Sequence, residues 1–410
     1  MVTRPDRPLR GNRDFVLLWT AGVASSLGSQ LTLVAYPLLA LVLSGSAARA
    51  GLLGSVGLLT RTLLRLPAGA LVDRWDRRLI MLWCDAVRAV VLAGVVVSVL
   101  AGMVTFWVLL VASAAESVFT VLFVPAERAA LRSVVPVTAL TPALAANEAR
   151  QHAAELAGPP LGGLLFGLGR ALPFLGDAVS YLYSFVAVLL IRTPLRVEAR
   201  TSDRRGLVRE IADGLALTWR QPLLRAIALC VAGSNVVYTA LIFGVIVVAQ
   251  QGGASATSIG AMLGATGVGG LLGAFAAPRL IALFAPVTVL LGVLWAGAVA
   301  LPAMAIDLRP ALIGPLLAFF TFLMPAANTI LVSTQMAITP PDTQGRVFSS
   351  VLFLSGLGAA GAPVLTGLLL EAVAGRTAVL VLATAMVLVA VLATTSRSLR
   401  SLGEPQVASA

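Results

Sequence analysis

The chain has 410 residues, of which 59% are hydrophobic and only 11% charged, with a formal charge of +11. A soluble chain carries about 25% charged residues, so a soluble multi-domain protein is set aside. All 29 basic residues are arginine. All but Arg61, Arg65 and Arg88 lie in the gaps between apolar runs, not in a patch interleaved with aromatics, which sets aside a nucleic-acid partner.

The N-terminal stretch MVTRPDRPLRGNRD is polar and basic. The apolar run after it is too long for a signal-peptide core and shows no small-residue cleavage site, so it reads as a retained span. In chain order the runs predict twelve spans: 16–44, 50–72, 79–101, 104–125, 146–168 and 172–192, then 223–249, 255–278, 283–305, 310–335, 347–370 and 377–395. Each approaches or exceeds the roughly 20 residues that cross a bilayer. All must be helices, because lipid offers no partner to an open backbone. The fold class is therefore an all-α membrane protein.

Two six-helix bundles follow, residues 1–192 and 223–396, joined by a linker at 193–222 and followed by a tail at 397–410. With the N-terminus inside, 22 arginines fall in cytoplasmic segments and four in outer turns. That asymmetry puts both termini in the cytoplasm of a cell whose plasma (inner) membrane the chain crosses. In the linker, Leu207, Ile211 and Leu215 stand four apart with Trp219 on the same face. This spacing predicts an amphipathic helix on the cytoplasmic membrane surface, although a solvated linker explains its first ten residues equally well. Cys84 and Cys230 lie far apart in apolar surroundings, with neither disulfide nor metal spacing.

The halves echo each other. Gly69-Ala70 recurs as Gly273-Ala274 and Gly158-Pro159 as Ala362-Pro363, both at an offset of 204, and Val124-Pro125-Ala126 recurs as Met324-Pro325-Ala326 at 200. Parallel repeats of this kind build a large class of secondary transporters.

On these residues the chain resembles the major facilitator superfamily from Asn12 to about Thr395. GALVDRWDRR at 69–78 is similar to that superfamily's loop motif between spans 2 and 3, and GPPLGG at 158–163 to its exporter motif in span 5. NRDFVLLW, VPAERAAL and EIADGLALTWRQPLLR resemble the macrolide and siderophore efflux branch. The resemblance implies two pseudo-symmetric bundles and a monomer. It also implies a cytoplasmic gate loop made by Gly69, Asp73, Arg74, Asp76, Arg77 and Arg78. The second-half loop GAFAAPRL has lost the acid and keeps only Arg279, so any latch is expected on one side.

The arginines of 69–78 anchor the turn whatever the protein does, but Asp73 and Asp76 do not help such an anchor. An acid there can sit at the N-terminus of a helix from the other half, and span 11, starting near Arg346, is the candidate. Asp85 and Arg88, three apart in span 3, form either a further part of that latch network or an interfacial pair. In span 5, Gly158, Gly162 and Gly163 allow close helix packing. Pro159 and Pro160 interrupt the backbone ladder, which makes a hinge face.

Glu116, in mid-span 4, is a functional candidate by default. It has three readings: a proton carrier, a structural partner of Arg61 or Arg65 on span 2, or a substrate contact. Glu155 ranks after it, His152 next to it is read as incidental, and Asp177 near the outer end of span 6 is expected to be solvated. The second half has fewer charges, with Asn235, Tyr238, Asn328 and Gln335 as its polar groups among many Phe, Met and Leu, which suits a bulky, mostly apolar solute.

There is no catalytic grouping, metal-ligand spacing or phosphate loop, so neither an enzyme nor a cofactor is expected. The expected function is a proton-coupled exporter of a hydrophobic or amphiphilic small molecule such as a drug, macrolide or siderophore. Its partners are that solute, the proton as coupling ion and the lipid bilayer. The alternatives are an uncoupled facilitator or importer of a metabolite or lysophospholipid, and a non-transporting membrane scaffold or sensor.

Overall fold

A backbone that enters lipid has to satisfy its own hydrogen bonds, and every apolar run of this chain does so as a helix. The computed structural model describes residues 9–72, 74–195, 207–340 and 343–400. The first half holds α1 (Arg13–Ser44), α2 (Ala47–Val72), α3 (Arg77–Leu100), α4 (Phe106–Val134), α5 (Leu140–Leu168) and α6 (Leu172–Leu190). Then come α7 (Leu207–Arg220) and the second half: α8 (Pro222–Gln251), α9 (Ala256–Leu283), α10 (Pro286–Met304), α11 (Pro310–Ile338), α12 (Gln344–Ala372) and α13 (Gly375–Thr395). A last turn, α14, spans Arg397–Arg400. Among the described residues, ten of the helices are long and apolar enough to cross a membrane. The exceptions among the twelve long ones are α2, which carries Arg49, Arg61 and Arg65, and α5, which carries Glu148, Arg150, Gln151, His152 and Glu155.

Polar residues at the helix ends set the boundaries. Asn12 caps α1, accepting from Phe15 N at 3.2 Å, while its own amide donates to Val134 O at 2.8 Å. Thr105 accepts from Val108 N ahead of α4. Gly45 ends α1 at φ 63°, a left-handed conformation suited to glycine, and a two-residue turn leads into α2. Prolines occupy the first turns of α8, α10 and α11, where a missing N–H costs nothing.

The chain divides into two compact units. One takes in Met1–Gly45, Val56–Asp203 and Ser255–Gly260; the other takes in Ser46–Ser55, Arg204–Ala254 and Ala261–Ala410. The unit boundaries thus fall inside two helices, after Ser55 of α2 and after Gly260 of α9. In the first unit, α1 packs on α5 and α6, and α3 on α4 and α6. In the second, α12 packs on α8 and α7, and α10 on α11 and α13.

The sequence echoes fall at equivalent places. Pro125 and Pro325 lie inside α4 and α11, and Pro159 and Pro363 inside α5 and α12. In the first unit a Cβ added at Gly260 would lie 2.5 Å from Pro159 O, and in the second one added at Gly51 would strike Pro363 O. Each proline carbonyl therefore packs against a glycine that has no side chain to resist it.

Several expectations are corrected. The fourth span runs to Val134, not 125. At 29 residues it is about 44 Å long, more than the ~30 Å of hydrocarbon. Its extension buries Ala126, Ala130, Leu131 and Val134 against the rest of the first unit. The fifth span starts earlier than drawn, at Leu140, and α5 continues as one helix through Pro159 and Pro160. On α7 the packed face is Gly214 and Thr218, both buried, with Gly214 close against Ser350 and Arg346 of α12. Leu215 and Trp219 remain exposed, and the side chains of Leu207 and Ile211 lie outside the described residues. Both cysteines are buried.

Candidate functional site

Polar residues recur on one face of each of two helices. On α1 they are Ser25, Ser29, Thr32 and Tyr36; on α6 they are Asp177, Ser180, Tyr181 and Ser184. Helical periodicity brings each set onto one stripe. The two stripes belong to helices that pack on each other, and Glu116 of α4 closes the cluster.

Glu116 is buried, and its carboxylate is held by two phenols. Tyr36 donates to Oε2 at 2.5 Å and Tyr181 to Oε1 at 3.4 Å. Tyr181 also lies 3.0 Å from Ser29 Oγ. Phe174 seals Tyr36 with an edge contact at 5.1 Å between ring centroids. Arg61 does not pair with Glu116 as one reading expected. Its Nε donates to the next residue, Ser117 Oγ, at 3.3 Å, and both Arg61 and Arg65 are exposed. Among the described residues no ion pair joins Glu116 to any cation.

Asp177 is 0% exposed, where a solvated group was expected. Thr32 Oγ1 donates to its Oδ2 at 3.0 Å, and Ser180 Oγ lies 3.2 Å from Oδ1. A Cβ on Gly28 would overlap both Asp177 and Ser180, so the bare backbone of α1 closes over the carboxyl.

Asp85 and Arg88 meet at 2.6 Å with side-chain exposures of 0% and 1%. The i, i+3 pair that the spacing suggests forms, and both side chains are buried. Ser184 donates to the free oxygen of Asp85 at 2.6 Å. The guanidinium lies over the rings of Tyr181 and Phe123, 4.1 and 4.6 Å from their centroids. The pair thus fixes α3 to α6 and α4 inside the first unit.

A second buried pair went unread in the sequence. Arg150 of α5 donates to Glu127 of α4 at 2.5 Å, and the pair fills the space over Gly22 of α1. Glu155 stands apart from these groups on an exposed face, 3.2 Å from His152 and from Gln151.

In the gate loop, Asp76 is the N-cap of α3, accepting from Arg78 N at 2.9 Å. Arg77 donates to Ala129 O and Ser133 Oγ, both at 3.3 Å, and Arg78 donates to Leu189 O. Arg74 is exposed, and a Cβ on Gly69 would meet nothing within 4 Å. Asp73, the expected latch acid, lies outside the described residues. In span 5, Gly158 closes on Gln30 and Gly162 on Leu31, both of α1; a Cβ on Gly163 would lie 2.9 Å from Gly260 Cα and nearer still to Ala256 O. In the second half, Asn235 donates to Ser355 at 2.9 Å and Tyr238 faces Phe320. Gln335 is buried, and Asn328 is exposed.

Residues 5–410 match the family described as transmembrane secretion effector. The chain is 28% identical over 384 residues to the uncharacterized MFS-type transporter YfiS of Bacillus subtilis, with 88% of each chain covered. It is 29% identical over 226 residues to the multidrug efflux pump Tap of Mycobacterium tuberculosis, covering 52% of this chain and 53% of that protein. It is 23% identical over 206 residues to macrolide efflux protein A of Streptococcus pyogenes, covering 50% of each. The match thus spans about half the length of those last two relatives. Among solved structures, a bacterial homolog to the human lysosomal transporter Spinster superposes with a TM-score of 0.75 at 16% identity, covering 97% of this chain and 98% of that one.

Proposed function

The chain belongs to the transmembrane secretion effector family of the major facilitator superfamily, and from that premise we propose that it is a proton-coupled exporter of a hydrophobic or amphiphilic small molecule, working by alternating access. It is a multi-pass membrane transporter and not an enzyme. The relatives named as multidrug and macrolide efflux proteins support an outward direction. The arginine asymmetry supports a plasma-membrane orientation with both termini cytoplasmic.

The observation that carries the reading is Glu116. A carboxylate buried in a membrane-spanning helix with no paired cation is expensive, and taking up a proton relieves the cost. Its two tyrosine partners come from α1 and α6, so a shift of either helix changes what holds it. Loading and unloading can in this way follow the conformational cycle. In the same reading the 69–78 loop is the cytoplasmic gate, tied to α4 and α6 through Arg77 and Arg78, and the α5 glycine face is the hinge.

The test uses inverted membrane vesicles, an imposed proton gradient and a panel of macrolides, siderophores and lipophilic dyes. Proton release on substrate addition is the readout. Glu116→Gln is expected to abolish uphill transport while sparing downhill exchange. Substrate that equilibrates down its own gradient without proton movement in the wild type would refute coupling and favour the facilitator.

A further inference from the structure

The buried cluster contains a second carboxyl that the proposed mechanism does not use. Asp177 is fully enclosed, and the ion pairs among the described residues give it no cation. The nearby cation, Arg88, is committed to Asp85 at 2.6 Å and to Cys84 O at 3.3 Å.

Counting hydrogens sharpens the point. Thr32 Oγ1 has one hydrogen and two acceptors in range, Ser29 O at 3.1 Å and Asp177 Oδ2 at 3.0 Å. Ser180 Oγ has one hydrogen and again two acceptors, Asp177 O at 2.8 Å and Asp177 Oδ1 at 3.2 Å. Ser29 O and Asp177 O already accept backbone N–H groups within α1 and α6, so both hydroxyls are free to serve the carboxylate, but neither brings a charge to offset its own in a fully enclosed site. A hydrogen on Asp177 Oδ2, donated to Thr32 Oγ1, releases the threonine hydrogen to Ser29 O. Ser180 can still donate to Oδ1 at 3.2 Å, so the protonated carboxyl carries no charge and leaves neither oxygen without a partner.

We propose that Asp177 is a second proton-carrying group, forming with Glu116 a buried two-carboxyl site whose partners hang from the same stretch of α1. The proposal rests on the coupled-transport reading for its role in turnover, but not for the presence of the proton. The titratable groups near Asp177 are Tyr36 from α1, Arg88 from α3, Glu116 from α4 and Tyr181 one turn along α6, with Asp85 reached through its pair with Arg88. At this level α5 presents Gly158 to Leu165, with no titratable side chain. Asp85 and Arg88 cancel, so the cluster holds two unbalanced negative charges when both remaining carboxyls are ionised. Protons are the ligands that fit. Thr32 and Ser29, one turn apart on α1, connect to Asp177 and, through Tyr181, to Glu116. Movement of α1 breaks both connections together.

The experiment is infrared difference spectroscopy on the full chain in lipid, reading the carbonyl band of protonated carboxyls. Asp177→Asn is expected to remove one such band while Glu116→Gln leaves it in place. Aspartate labelled with carbon-13 at the side-chain carboxyl should shift the same band in the wild type, which tests the assignment even where the variant does not fold. A band that neither the variant nor the label touches overturns the proposal. In vesicles, Asp177→Asn is expected to lower proton release by one per substrate. Release unchanged in that variant would overturn the role in turnover while leaving coupled transport standing. An Asp177 band in a wild type that releases no proton with any substrate would instead sink the coupling reading alone.

Discussion

Removing Arg88 gives the sharpest test of how the first unit is held. Arg88→Met takes away the guanidinium and leaves Asp85 buried, with Ser184 Oγ at 2.6 Å as its remaining donor. Breaking a buried pair from one side costs about 3–5 kcal/mol, because the orphaned charge stays desolvated. The lost contacts to Tyr181 and Phe123 add about 0.5–2 kcal/mol each. Replacing both partners with apolar side chains should cost far less, since such exchanges are often neutral or favourable by about 1–4 kcal/mol. The measurement is unfolding in detergent for Arg88→Met, Asp85→Leu and the double variant, combined as a double-mutant cycle. The expected cycle shows two severe single variants, a double variant near the wild type, and restored transport in the double. Single variants that each cost less than about 1 kcal/mol and simply add would refute the structural pair. A stable double variant that cannot transport would return Asp85 and Arg88 to the gating network expected from sequence.

Three further outcomes follow from close contacts. Gly163→Ala should separate α5 from the start of α9, because the new methyl meets backbone atoms that cannot rotate away; unchanged thermal stability and transport would contradict that approach. Gly22→Val should displace the Glu127–Arg150 pair and lower the unfolding midpoint in detergent, and a midpoint equal to the wild type's would show that the pair has room to move. Asp76→Ala removes the α3 cap and should cost about 0.5–2 kcal/mol, read as weaker amide-exchange protection confined to the first turn of α3.

The spans were legible because bilayer thickness imposes its own length on the sequence. That rule is blind outside the hydrocarbon, which is why it gives neither the extension of α4 past Pro125 nor the early start of α5 at Leu140. Both extensions are amphipathic, with Ala126, Ala130 and Leu131 buried on α4 and Ala143 and Arg150 on α5. Glu116 stood out as a lone acid in an apolar run. Asp177 departs from its expectation because nearness to a chain turn is not nearness to water. Its stripe with Ser180, Tyr181 and Ser184 carried the opposite message, matched by Ser25, Ser29, Thr32 and Tyr36 on α1. Pairings were harder to read. Arg61 sits beside Ser117, one residue from the acid it was expected to meet, and no helical spacing separates those two outcomes. The Glu127–Arg150 pair depends on Gly22 leaving room, and a glycine in sequence does not announce what fills its space.

The burial of both thiols makes the native chain a labelling background. Cys84 and Cys230 are 2% and 7% exposed, and the sequence has no lysine. A maleimide reporter would therefore find only a cysteine placed for it, without native residues being replaced first. Amine reagents would be confined to the N-terminus. Introduced one at a time along α2, α5, α9 and α12, such cysteines would report which helix faces meet water at each stage of the cycle. The bilayer-facing positions would stay silent as an internal control.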